Sequence, residues 1–506
     1  MTEDSAPVNA SAYYLDRHIE DGDADRTAIK TEDESWTYGE LLDQVKRAGG
    51  TLRNAGVSRG DRVVLMHPDA PQAVAFLLAA MRIGAAPAPI PTQLTQDEVT
   101  FICNDCRPAA AVVDSSCAER MLGAREQLAS TMAIIGTDQP QGDPRYAAHV
   151  DDVAELVLVE RDELALIQYT SGSTGSPKGV VHLHRGLLAL PAGFGARLAL
   201  TDGDICYSAA KLSFGYGLGN SVLFPMAAGA TTFLRAAPSD PLGVLQAIQK
   251  AQPTVVFGGP SLYGAIAAIR GVKLDFASVR LYVSAGDALS VQLFETWQDR
   301  FSHQILDGLG STECLHIFMS AEPGEAIGGE IGSAIPPYEA RLVDDDGATL
   351  PAGSTGLLEV RGPANFDRYW NRPEQTEETI RDGWVRTGDI LHQNLDGVFS
   401  YVGRHDDVFM VREMKVAPVE IEQILADHPA VAECAVVGRP DRSGFPSVCA
   451  FIRLAEGSQA SHDLEQGLRE LVRGSLSPHK VPKTFEFVQT LPRTSTGKLT
   501  RHTLRR

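Results

Sequence analysis

Residues 169–181 read YTSGSTGSPKGVV: hydroxyls and glycines surround a single lysine and run straight into an apolar, strand-like stretch. Thr170, Ser171, Gly172, Ser173, Thr174 and Gly175 offer backbone N–H groups that can curl around phosphate oxygens. Glycine allows that close approach, and the hydroxyls add donors and metal-ligating oxygens. The segment is not the common P-loop, which needs G-x-x-x-x-G-K-[ST] with lysine directly after glycine and opening a helix. Here Pro177 precedes Lys178. Proline stiffens the approach and disfavours a helix start at Ser176, so the lysine is expected to be presented from a hairpin. On composition alone a solvated Ser/Gly linker is the competing reading.

Positioning such a loop needs regular elements on both sides. Leu41, Leu42, Val45, Ala48 and Leu52 recur at helical spacing and stop at Gly56. DRVVLMH then reads as a buried strand, and PQAVAFLLAAMRIG as a helix with proline at its start and glycine at its end. AAAVVD, TVVFGGPSLYGAIAAI and VRLYVSAG continue the alternation, which favours α/β layers. Near Gly332 the character changes: EARLVDDDGATL, GLLEVRGPANF and GVFSYVGRHDD are short strands with Asp-Gly turns, an antiparallel appendage. After Val408 come a helix with Pro418 near its first position, the strands ECAVVG and SVCAFIRL, a helix over 462–475 and a basic tail. That is the size of a small independent domain.

The bulk numbers exclude several classes. A chain of 506 residues with 43% hydrophobic and 22% charged residues has ordinary globular composition. A formal charge of −20 repels polyanions, so no nucleic acid partner is expected, and any anionic ligand needs a locally basic or dipole-lined site. The first 30 residues lack an apolar core, and the longest apolar run, around Ala73–Met81, is far short of a membrane span. A cytoplasmic protein without a membrane partner is the expectation. Of seven cysteines only Cys103 and Cys106 are close, which suggests buried or inert thiols.

Four more motifs follow the loop in order: GSTE at 310–313, TGD at 387–389, GRHDD at 403–407 and PRTSTGK at 492–498. With these five the chain resembles, over nearly its whole length, the adenylate-forming superfamily of acyl- and aryl-CoA synthetases, luciferases and peptide-synthetase adenylation domains. The fold implied is α/β: a large N-terminal domain, 1–403, of layered βαβ subdomains with a small antiparallel barrel-like part. A small mobile C-terminal α+β domain, 404–506, would follow a hinge at about 404–407. The loop with Lys178 would hold the β- and γ-phosphates of ATP, Thr312 would bond a phosphate oxygen, and Glu313 would hold Mg²⁺, a hard cation that prefers oxygen ligands. Asp389 would accept from the ribose hydroxyls, with Arg404 supporting sugar or phosphate. SAGDAL (284–289) and DGLG (307–310) resemble the walls for adenine and the acyl carboxylate, which puts Gly286, Asp287, Asp307, Gly308 and Leu309 beside the nucleotide and Ala285 and Gly310 beside the acid. Lys498 is the residue expected to offset the charge that develops as a carboxylate attacks the α-phosphate. Asp406 sits at the hinge position.

Residues 211–231 and 311–318 look most like the benzoate-CoA ligase branch, with Phe214, Tyr216 and His316 bordering an aromatic carboxylic acid. The competing reading for His316 is a satisfied interior histidine. One departure from the family stands out: Glu413, in VFMVREMKVAP, occupies the place of a glycine usual in CoA-thioester formers. The acceptor is therefore expected to be CoA, with a different nucleophile as the alternative: an amine, a carrier protein, or nitrite chemistry on an aryl amine. ATP and Mg²⁺ are the implied cofactors, and a homodimer is left open.

Overall fold

The computed structural model describes residues 6–128, 130–139, 143–171, 177–270, 276–411, 414–440, 446–493 and 499–505, with the side chains of Ser171 and His502 excepted. The helix Tyr38–Asn54 starts on a reciprocal cap: Glu40 N–H donates to Thr37 Oγ1, and Thr37 N–H donates to the Glu40 carboxylate. It ends where Gly56 takes a positive φ of 90°. Its apolar stripe Leu41, Leu42, Val45, Ala48 and Leu52 packs inward. The helix Pro71–Arg82 is apolar nearly all round, and it is correspondingly buried nearly all round, between the strand Arg62–Met66 and the preceding helix.

Arg62–Met66 lies in a four-stranded parallel sheet with Ala86–Pro89, Ala110–Val113 and Ala133–Gly136. A second, nine-stranded sheet has six parallel strands in the order Ile305–Gly310, Leu281–Ser284, Val255–Gly258, Ile205–Ser208, Thr231–Phe233 and Thr27–Lys30. Antiparallel strands close both of its edges. The carboxyl ends of Leu281–Ser284 and Ile305–Gly310 lead into SAGDAL and GSTE, where open parallel sheets bind ligands. Between the two sheets runs the hairpin Leu164–Ser171 and Pro177–Leu183, with Arg368–Tyr369 as its third strand.

The antiparallel appendage is as expected: Glu339–Val343, Thr355–Arg361, Trp384–Gln393 and Phe399–Arg404 form consecutive antiparallel pairs. The C-terminal region pairs Val431–Pro440 with Pro446–Leu454 and adds Thr484–Phe487 in parallel. The helices Pro418–Ala426 and His462–Ser475 cover this sheet. Its core, with Val416, Ile421, Leu425, Val436, Val448, Ile452, Leu468 and Val472, is separate from the N-terminal cores, which is the physical mark of a domain. A large N-terminal and a smaller C-terminal domain are thus present. All seven cysteines are free, and Cys103 and Cys106 are buried, with burial raising both thiol pKa values. Among the described residues, no helix is long and apolar enough to cross a membrane.

Candidate active site

The hairpin delivers what proline before lysine implied. Thr170 stands directly opposite Lys178, and Ser171 opposite Pro177. Gly172, Ser173, Thr174 and Gly175, at its tip, lie outside the described residues. The Lys178 ammonium sits 4.5 Å from the centre of the Tyr369 ring.

Tyr369, which sequence reasoning missed, also donates its hydroxyl to Glu313 Oε1 at 2.6 Å. The Glu313 backbone is held as well, since Phe366 N–H donates to its carbonyl at 2.6 Å. Ser311 starts the short turn Thr312–Cys314, its hydroxyl accepting from Cys314 N–H at 3.2 Å. Gly310 must be glycine, because a Cβ there would lie 2.7 Å from the His316 carbonyl oxygen. No signal in residue type pointed to Tyr369, because its 56-residue separation from Glu313 is bridged only by the third strand of the hairpin.

Asp389 and Arg404 face each other on neighbouring strands. Arg404 Nη1 donates to Asp389 Oδ1 at 3.0 Å and to the Thr387 carbonyl at 2.8 Å. Gly388 turns the chain between them with φ 75°, and a Cβ there would sit 2.8 Å from Arg404 Nη2. Tyr401 approaches Asp389 Oδ1 at 3.5 Å and also borders a cleft lined by Asp307, Ala288, Leu289, Ile331 and Gln423. In that cleft Asp307 Oδ1 is buried without a hydrogen-bond partner among the described residues. Burial raises the Asp307 carboxyl to about 7, opposed by Ser284 and by the backbone N–H groups of Leu289 and Gly308. Gly286, at φ 100°, and Asp287 are exposed at the end of Leu281–Ser284, and Gly308 and Leu309 follow Asp307 on its strand.

This raised pKa has a testable sign. The folded state keeps a proton that the unfolded chain has already released, so stability from this group declines as pH rises between the unfolded value of 3.8 and about 7. Asparagine mimics the protonated form. Asp307→Asn should therefore raise the melting temperature more at pH 8 than at pH 5, by about 2–4 °C; an equal shift at both pH values would refute the burial argument.

Phe214 caps the short helix Gly215–Leu218, and the Tyr216 hydroxyl lies 3.2 Å from the Gly258 carbonyl and 3.1 Å from that of Val283. Ala285 is buried just beyond Leu281–Ser284, its N–H donating to the Gly258 carbonyl at 3.4 Å. His316 is 3% exposed, packed among Tyr216, Phe194 and Phe224 with ring centroids 5.3, 5.6 and 4.7 Å away. Its Nε2 faces two acceptors, the Tyr216 carbonyl at 3.2 Å and Asn220 Oδ1 at 3.1 Å, so the proton resides there. Nδ1 is left as a buried acceptor with no partner among the described residues. Burial pushes the histidine down to about 3, which keeps it neutral. It is thus a buried, neutral histidine packed against Tyr216, with one acceptor to spare. Gly219 makes room for it, since a Cβ there would come within 2.3 Å of its Cδ2. Gln168, also missed from sequence, is buried with both amide atoms unpartnered among the described residues, and its Oε1 would lie 2.6 Å from a Cβ at Gly215.

Asp406 is exposed in the turn His405–Asp407, its carbonyl accepting from Arg505, while Asp407 binds both Arg501 and Arg505. Glu413 and Lys498 lie outside the described residues. Among the described residues no three His, Cys, Asp or Glu side chains cluster to hold a metal. Glu313 would fit Mg²⁺ bound through one carboxylate and substrate phosphates, since among the described residues only Oε1 of its carboxylate is engaged.

Residues 15–370 match the AMP-binding enzyme family, and 420–498 match the AMP-binding enzyme C-terminal domain. The chain is 37% identical to a benzoate–CoA ligase of Thauera aromatica, over 98% of this chain and 95% of that protein. It is 35% identical to a 4-hydroxybenzoate–CoA/benzoate–CoA ligase of Rhodopseudomonas palustris, over 98% and 94% of the two chains. Among solved structures, an anthranilate CoA ligase in complex with anthranoyl-AMP superposes with a TM-score of 0.92 at 32% identity, covering 98% of this chain and 96% of that one. A benzoate CoA ligase from Burkholderia xenovorans LB400 gives 0.90 at 32% identity, covering 99% and 100%. With matches of this extent, the chain belongs to the AMP-binding, adenylate-forming enzyme family, in its benzoate-CoA branch.

Proposed function

We propose that the protein activates a benzoate-like aromatic acid with ATP and transfers the acyl group to CoA. An oxygen of the acid's carboxylate attacks the α-phosphorus; the bond from that phosphorus to the β-bridging oxygen breaks, and pyrophosphate leaves. The CoA thiol then attacks the acyl carbonyl of the adenylate, losing its proton, and AMP departs.

The observation that carries this reading is the connected set of contacts from Lys178 through Tyr369 to Glu313, next to the Asp389–Arg404 pair, the Asp307 cleft and the Tyr216–His316 wall. In the proposal the hairpin loop and Lys178 bind the β- and γ-phosphates and stabilise the pyrophosphate as it leaves. Thr312 donates to a phosphate oxygen. Glu313 and phosphate oxygens would hold Mg²⁺, which would supply charge neutralisation. Asp307 accepts from the adenine amino group, with Gly286, Asp287, Gly308 and Leu309 forming the walls around the base. Asp389 accepts from the ribose diol. Phe214, Tyr216, Ala285, Gly310 and His316 surround the aryl acid, with aromatic faces suited to a ring. Residues 1–403 and 404–506 act as the two bodies, with Asp406 absorbing the backbone rotation between adenylation and transfer. The use of ATP and CoA as substrates supports a cytoplasmic location.

The test is pyrophosphate release with ATP, Mg²⁺ and a panel of substituted benzoates, with and without CoA, followed by mass analysis. Aryl-CoA is the expected product. Pyrophosphate without thioester would instead point to a non-thiol acceptor, with Glu413 as the first residue to exchange for glycine.

A further inference from the structure

Tyr369 is 4% exposed and touches both charges that the proposed triphosphate site depends on. Its hydroxyl donates to Glu313 Oε1 at 2.6 Å, and the Lys178 ammonium lies 4.5 Å from its ring centroid. The tyrosine itself is held firmly. Residues Arg368 and Tyr369 pair with Val181 and Val180 in the phosphate hairpin. The Tyr369 N–H donates to Thr376 Oγ1 at 3.0 Å, and its ring packs on Phe366 with centroids 4.7 Å apart. Phe366 N–H in turn binds the Glu313 carbonyl. One rigid aromatic thus spans the hairpin strand that carries Lys178 and the turn that carries Glu313.

Resting on the adenylation reading above, we infer that Tyr369 is a positioning residue that sets the two opposite charges of the triphosphate site relative to each other. Its hydroxyl fixes one oxygen of Glu313 and leaves the other for a cation. Its ring face holds the Lys178 ammonium by the attraction of a cation to a π-system, on the same side chain whose hydroxyl binds the carboxylate. Without this restraint the lysine and the glutamate are free to neutralise each other. A carboxylate oriented by a neighbouring donor binds metal more tightly than a free rotor, and losing such a donor typically costs about 10-fold in metal affinity or more.

The experiment separates hydroxyl from ring and uses binding rather than turnover. Affinity for the non-reacting α,β-methylene analogue of ATP is measured by calorimetry, once with Mg²⁺ and once in EDTA, on the full chain. Tyr369→Phe should weaken binding with Mg²⁺ about 10-fold and leave binding in EDTA within about 2-fold, because the ring under Lys178 remains. Tyr369→Leu removes both contacts, so binding in EDTA should also fall, by about 3-fold. A purely structural tyrosine predicts something else: equal losses in both arms for Tyr369→Phe. That result, or no change in either arm, overturns the inference, as does unchanged binding of Tyr369→Leu in EDTA. Wild-type protein that binds the analogue in neither condition would overturn the proposed function instead.

Discussion

Lys498→Ala is expected to slow acyl-adenylate formation by about 10³-fold while leaving transfer from supplied aryl-adenylate to CoA nearly intact. The magnitude follows from the charges. Bringing a carboxylate up to the α-phosphate sets two anions together, and one cation about 4 Å away contributes roughly 4 kcal/mol at an effective dielectric near 20. That is about three powers of ten in rate. The competing view of Lys498, as one of many charges in a basic tail, weakens when the tail is seen folded. Arg501 binds Glu422 and Asp407, Arg505 binds Asp407, and Arg493 binds Glu433. These arginines are fastened to the C-terminal domain and its hinge, so they are anchors for the segment rather than a solvated polycation. Under the proposal Lys498 is then the tail charge left for chemistry. Measuring the two half-reactions separately is the check, because equal loss in both would contradict an assignment in which the lysine acts in adenylation only.

Asp389→Ala carries the next largest effect, a rise of about 10²-fold in KM for ATP with little change in KM for the aryl acid. A carboxylate accepting both hydroxyls of a diol makes two charge-assisted hydrogen bonds, together worth about 3 kcal/mol net, or roughly 10²-fold in binding. The structural cost should be smaller. Arg404 loses its partner at 3.0 Å, but its side chain is 42% exposed and still donates to the Thr387 carbonyl. Solvent screening holds that loss to about 1 kcal/mol. The discriminating substrate is 2′-deoxy-ATP: wild-type enzyme should bind it more weakly than ATP, and Asp389→Ala should bind the two alike. If the variant still prefers the ribose form, another group reads the sugar.

Much of the architecture was legible because it rests on local periodicity. The stripe Leu41–Leu52, the proline-started helix at Pro71 and the strands ending in SAGDAL and GSTE each follow from spacing that a few neighbouring residues impose. The Asp-Gly turns after Gly332 announced antiparallel strands, because such turns require a positive φ that Gly347, Gly383 and Gly397 indeed adopt. The hairpin geometry at Lys178 was readable from Pro177 for a similar reason. His316 was different. Residue type left it open between pocket wall and interior; the structure shows it buried and neutral, with Nε2 bonded and Nδ1 without a partner among the described residues.

The amino-acid sequence by itself determined the family, the order of the motifs and the type of each charged group, since these depend on which residues occur and how far apart along the chain. Only the tertiary structure decided which of them meet. Tyr369 reaches Glu313 across 56 residues, Tyr216 and Asn220 reach His316 across about a hundred, and Asp307 becomes a carboxyl near neutrality by enclosure. Such pairings come from sheet order and from the exclusion of water. Both are properties of how distant segments pack, and no local pattern encodes them.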